Sequence, residues 1–95
     1  MPRVIWSASA VADLSTIRHW LVNEAGQPIA LRILRDIRTQ TGQLGTFPAV
    51  GSMIDHRQRK LRLRGTSYIM IYQILDGQAV VLRIRHAHED WRPAS

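Results

Sequence analysis

Cysteine is absent from the 95-residue sequence. That excludes a disulfide framework, thiolate zinc sites and a cysteine nucleophile, and it suits a reducing compartment. No stretch approaches the roughly 18 consecutive apolar residues of a membrane span, so a soluble, cytoplasmic protein with no membrane partner is expected. Residues 1–14 are interrupted by Ser7, Ser9 and Asp13 and lack the continuous apolar region of a secretory signal. Internal repeats, low-complexity tracts and Pro/Gly-rich linkers are also missing. A chain this short supports one core rather than two, so a single domain over residues 1–95 is expected. Acidic residues are scarce, with seven Asp and Glu against thirteen Lys and Arg, a formal net charge of +6. That excess favours an anionic partner, either nucleic acid or an acidic protein segment, and its sign alone does not choose among RNA, DNA and protein.

The residues that are present divide the chain into a helical first half and a β second half. Arg3 to Trp6 has the β-branched character of a short strand, and Ser7 stands in the position of a helix N-cap. Ala10, Leu14, Ile17 and Leu21, with Val11 beside them, recur at three- and four-residue spacing up to Gly26, a helix stop. Pro28 suits the first turn of a second helix, in which Ala30, Ile33, Leu34, Ile37, Thr41 and Leu44 keep the helical period. The short connection at Asn23 to Gln27 makes the two an antiparallel hairpin, and Phe47, Pro48 and Gly51 mark a loop. The apolar residues of this half are read as core.

After about residue 57 the period becomes alternating. Strands are expected at Arg57 to Arg64, Tyr68 to Leu75 and Gln78 to His86, the last two joined by the two-residue turn Asp76-Gly77. Pairing Leu75 with Gln78 sets Ile71 against Leu82 and Ile69 against Ile84. A turn over Gly65-Thr66-Ser67 adds Leu61 and Leu63 to that apolar face. The other face then collects Lys60, Arg62 and Arg64, then Tyr68, Met70 and Tyr72, then Arg83 and Arg85. The expected fold is α+β, β-α-α-β-β-β: an antiparallel sheet with a helical hairpin on one face and an open basic face on the other.

Cations flanking tyrosines can neutralise phosphates while offering rings for stacking. The same face can receive an acidic segment of a protein, with Met70 and the rings as apolar contacts and arginine forks for carboxylates. Arg85-His86-Ala87-His88-Glu89-Asp90-Trp91 gathers acid–base groups. For RNA cleavage by its own 2′-hydroxyl, His86 would be cast as base or acid, with Arg83, Arg85 and Tyr68 around the charged phosphorane. A structural, hydrogen-bonded His86 is the alternative, and strand parity places it with the apolar face. His86 and His88 with Glu89 or Asp90 supply only part of a metal's first shell, so neither metal nor cofactor is expected. Trp6, Trp20 and Trp91 are read as plugs over the core.

Taken together, these residues resemble the RelE/ParE superfamily of bacterial toxins over nearly the whole chain. Val4-Ile5-Trp6-Ser7-Ala8-Ser9-Ala10 with Ala12-Asp13-Leu14 is similar to the family's opening strand and helix, and Phe47-Pro48 to its loop after the second helix. The most specific part is Arg59-Lys60-Leu61 through Gly65-Thr66, Tyr68 and Ile71-Tyr72, then Val81 to His86 and Asp90-Trp91-Arg92-Pro93. The resemblance implies the toxin of a type II toxin–antitoxin pair, silenced by an antitoxin with an acidic segment. It also implies one of two targets. ParE-like members inhibit DNA gyrase without catalysis. RelE-like members cleave mRNA on the ribosome without a metal, and here Lys60, Arg62, Arg83 and His86 would match their catalytic roles. The ending Ala87-His88-Glu89-Asp90-Trp91 resembles the ParE-like side, and a non-toxic nucleic-acid-binding module is a further alternative. The surface that antitoxin or target would cover is expected to comprise Lys60, Arg62, Arg64, Tyr68, Met70, Tyr72, Arg83, Arg85, His86 and Trp91.

Overall fold

The computed structural model describes residues 3–87. Along them run β1 (Ile5–Trp6), α1 (Ala8–Ala25), α2 (Gln27–Gln43), a 3-10 turn at Pro48–Val50, β2 (Ser52–Met53), β3 (Gln58–Arg62), β4 (Tyr68–Leu75) and β5 (Gln78–His86). The expected α+β order holds, with the short strand β2 added between the helices and β3. The sheet runs β1-β5-β4-β3-β2. β1 lies parallel to β5, and the other neighbours are antiparallel.

Local chemistry sets the helix ends. The Ser7 hydroxyl accepts from the Ala10 N–H at 3.0 Å and donates to the Leu82 carbonyl at 2.9 Å, so one side chain caps α1 and ties it to β5. Gly26, at φ 85°, ends α1 by donating its N–H to the Val22 carbonyl and is by itself the whole connection to α2. The left-handed backbone there suits glycine. Ala10, Ile17 and Leu21 of α1, with Ala30, Ile37 and Thr41 of α2 and Leu44 after it, are buried against the sheet. Val11, Trp20 and Phe47 depart from their core reading and are exposed. Val11 and Trp20 lie on opposite flanks of α1, outside the stripe that meets the sheet.

β4 and β5 have the expected bounds, and Asp76 and Gly77 both adopt positive φ, as a two-residue hairpin turn requires. The faces of β4 are the reverse of the expectation. Leu63 donates its N–H to the Tyr68 carbonyl, so the β3–β4 turn spans residues 64–67 and sets Leu61 against Met70 and Arg62 against Ile69. On the other side the pairing begins at Leu75 and Gln78 as expected, then slips by one at Ile71/Tyr72, where Leu82 is the extra residue of a bulge. A one-residue slip exchanges the faces of a strand. Met70 and Tyr72 are therefore fully buried beneath the helices, each 0% exposed, and Ile69 and Ile71 occupy the face expected for the tyrosines.

Tyr72 anchors the far end of this core. Its hydroxyl donates to the Pro48 carbonyl at 2.7 Å and accepts from the Gly51 N–H at 2.8 Å. Arg59 donates to the Ala49 and Gly51 carbonyls at 3.2 and 2.8 Å. A Cβ on Gly51 would lie 2.6 Å from both the Lys60 carbonyl and the Tyr72 hydroxyl, so only glycine lets these strands approach.

Candidate functional site

The corrected register decides what each face presents. Lys60, Ile71 and Arg83 form one row across β3, β4 and β5, and Arg62, Ile69 and Arg85 form the next. The register starts these cations on the face opposite the helices, where two isoleucines separate them in place of the expected Tyr68, Met70 and Tyr72, but at the edge and end of the sheet Arg83, Arg62 and Arg85 reach round to the helix side. Ile69 and Ile71 are only 6% and 4% exposed, consistent with long basic side chains laying their aliphatic stems over apolar neighbours. Met70 and Tyr72 are thereby removed from any contact surface. Arg64 lies in the turn after β3, where its backbone N–H and carbonyl both bond the Gln40 amide, at 2.8 and 2.7 Å. Its place on an open sheet face is corrected accordingly. Trp91, His88, Glu89 and Asp90 lie outside the described residues.

Arg83 is committed within the fold. Its Nε and Nη2 donate to the two Asp13 oxygens at 2.7 and 2.9 Å, and Asp13 also accepts the Ile84 N–H at 3.0 Å. The α1 carboxylate thus neutralises the cation and caps an N–H of the β5 edge where β1 has ended.

His86 pairs across the ladder with Tyr68 and stands on the helix side of the sheet, as strand parity predicted. The two rings meet edge to face, centroids 5.5 Å apart and planes at 83°. With Trp20 they line two adjoining grooves at this end of the sheet, of about 390 and 620 Å³. Asp13, Ile84 and Arg85 complete the first, and Arg62, Arg64 and the turn at Gly65 to Ser67 contribute to the second. Sequence reasoning missed Trp20 as a surface residue, though Asp13, Thr16, Ile17 and Trp20 follow one another at helical spacing along this flank of α1.

Of the four candidate nuclease residues, Arg62 alone shares a groove with His86. Lys60 lies across the sheet, and Arg83 is held by Asp13. Among the described residues no cluster of three or more His, Cys, Asp or Glu can hold a metal ion. No described helix is long and apolar enough to cross a membrane. The arrangement offers an aromatic, partly apolar cleft edged by arginines, suited to an extended or helical segment with apolar anchors and carboxylates.

Comparison with known proteins agrees with the fold. The family described as ParE toxin of type II toxin-antitoxin system, parDE, matches residues 4–91. Toxin RelE2 of Caulobacter vibrioides is 30% identical over 87 residues, covering 92% of this chain and 97% of that protein. Among solved structures, the chromosomal ParDE toxin–antitoxin system from P. aeruginosa superposes with a TM-score of 0.80 at 25% identity, over 90% of this chain and 96% of that one. The RelBE2 toxin–antitoxin complex of Mycobacterium tuberculosis shares the fold, with a TM-score of 0.65 at 24% identity, over 90% and 99% of the two chains. With strands, helices and matched residues in agreement, the chain belongs to the ParE toxin family within the RelE/ParE superfamily and is the toxin of a type II toxin–antitoxin system, with an antitoxin as its partner.

Proposed function

We propose that this toxin acts by binding rather than by chemistry, and that it arrests growth in the cytoplasm by inhibiting DNA gyrase. The observation that carries this reading is the dispersal of the nuclease set. His86 and Lys60 stand on opposite faces of the sheet, and the Arg83 guanidinium is paired with Asp13. A cation so paired gives little help to a developing phosphorane.

The antitoxin segment enters the paired grooves. Its apolar side chains pack on Trp20 and Tyr68, and its carboxylates meet Arg62, Arg64 and Arg85. Buried aromatic and arginine contacts of this kind dominate the energy of protein interfaces.

One observation favours the ribosome-dependent endonuclease as a second reading: Arg62, Arg64, Tyr68 and His86 share the larger groove. Induced expression in a bacterium separates the two. Gyrase-dependent DNA breaks with intact mRNA are expected. New mRNA ends at A-site codons, lost on His86→Ala, would replace this reading with the second.

A further inference from the structure

The outer face of the helical hairpin carries charge that the grooves do not use. Arg32, Arg35 and Arg38 recur every third residue of α2, stepping about 60° each time, and form a ridge about 9 Å long. The ridge winds from the side opposite the buried Ala30, Ile37 and Thr41, at Arg32 and Arg35, to the flank beside α1 at Arg38. Arg18 of α1 joins it beside Arg38, across a small furrow that also includes Val11 and Leu34. All four arginines are exposed. Their guanidinium groups make no hydrogen bond or ion pair with the described residues, whereas Arg83 on the sheet is paired. Asp36, the acid of α2, turns away, its carboxylate 3.7 Å from where a Gly65 Cβ would stand.

We infer that this ridge binds the phosphate backbone of duplex DNA, as a second surface separate from the antitoxin grooves. Three features select this occupant. Twelve of the thirteen cations are arginine, whose planar fork matches phosphate oxygens and keeps its charge at any physiological pH. Among the described residues no Trp, Tyr or Phe ring lies on the ridge: α2 has none, and Trp20 of α1 faces the His86 grooves on the opposite flank. Single-strand sites add aromatic platforms to a basic groove, whereas sequence-independent binding of a duplex backbone rests mainly on charge and needs no platform. The furrow beside Arg38, at about 190 Å³, holds roughly one side chain rather than a partner helix. Binding is independent of base sequence, because a ridge of guanidinium groups that contacts only phosphates reads no base edges.

The test is a salt titration of the full-length toxin on a mixed-sequence DNA duplex. Four phosphate contacts predict a slope of log affinity against log salt near −3.6, so affinity falls about 150-fold between 50 and 200 mM salt. Arg32→Ala/Arg35→Ala/Arg38→Ala should reduce the slope to about −0.9 and that fall to roughly fourfold. Arg57→Ala/Arg62→Ala/Arg64→Ala lowers the net charge equally and should leave the slope near that of the parent. Replacing the ridge arginines by lysine should preserve the slope, and circular dichroism confirms that each variant is folded. Equal losses in both alanine triples would mean that binding follows total charge, and the inference fails. It also fails if the ridge variant keeps the parent's slope, or if the parent prefers single-stranded over duplex DNA, or an acidic helical peptide over either.

Discussion

Replacing Gly51 by alanine should destabilise the toxin through a contact that can be isolated. The new Cβ would sit 2.6 Å from the Lys60 carbonyl, 2.6 Å from the Tyr72 hydroxyl and 2.7 Å from the Tyr72 ring. All are far inside van der Waals contact, and the carbonyl belongs to paired backbone that cannot swing aside. Overpacking of this kind costs about 1–3 kcal/mol, and the rigid backbone neighbour places Gly51→Ala near the upper end. Tyr72→Phe acts on the same spot differently. It strands the buried Gly51 N–H, which leaves a donor unsatisfied at about 1–3 kcal/mol, while the partly exposed Pro48 carbonyl can turn to water. For a domain of this size each kcal/mol moves the melting temperature by about 4–8 °C. In the double variant the hydroxyl that meets the new methyl is gone, and the unbonded ring can tilt away. Its cost should therefore fall short of the sum of the single variants by about 1 kcal/mol. Urea denaturation of the four proteins measures the cycle. Strict additivity, or a Gly51→Ala variant within about 0.5 kcal/mol of the parent, would refute the close approach as the reason for glycine.

The same tyrosine gives a pH signature. Burial pushes the Tyr72 phenol above its ordinary value near 10, with the Gly51 N–H and the Arg59 charge opposing the shift in part. The unfolded chain then releases this proton first, so Tyr72 favours the folded state fully below pH 10, and that contribution is lost as pH rises through the folded value. Absorbance titration should show a late phenolate component that disappears in Tyr72→Phe. Asp13→Ala removes the acceptor of the Ile84 N–H as well as the Arg83 partner. We expect a loss of about 1–2 kcal/mol in thermal or urea melts, mostly from the backbone bond, since Arg83 is 44% exposed and its ion pair is solvent-screened. Gln40→Ala cuts both bonds to the Arg64 backbone and should cost about 1 kcal/mol, with faster amide exchange at Arg64 as the local readout.

Much of the architecture was legible because it is written in local chemistry. Ser7 before an apolar helical stripe, Gly26 followed by Pro28, and Asp76-Gly77 between alternating runs each impose their own backbone geometry. The bounds of α1, α2, β4 and β5 follow from them nearly residue for residue. The antitoxin pairing was legible too, carried by the family resemblance of Arg59 to Arg85. β2 gave no signal, since two residues are too few to show a period. The Trp20 wall of the grooves was hidden because a large aromatic at helical spacing reads as core.

The faces of β4 were a different matter. Alternation identifies a buried face only when the other face is wet, and Tyr68 to Tyr72 are all buried. Both sets of side chains, Tyr68, Met70 and Tyr72 or Ile69 and Ile71, satisfy an apolar environment, so nothing in the strand itself chooses between them. The choice came from the 64–67 turn and the Leu82 bulge, which are fixed by packing at a distance: the Ser7 hydroxyl on the Leu82 carbonyl, Asp13 on Ile84, and the Gln40 amide on Arg64. The sequence determined the elements and their order through local backbone preference. The tertiary structure alone decided which side of the central strand meets the helices, and so which of Lys60, Arg62, Arg83 and His86 share a surface. One residue of register reverses every side chain in a strand, and that register is set by contacts among residues far apart in the chain.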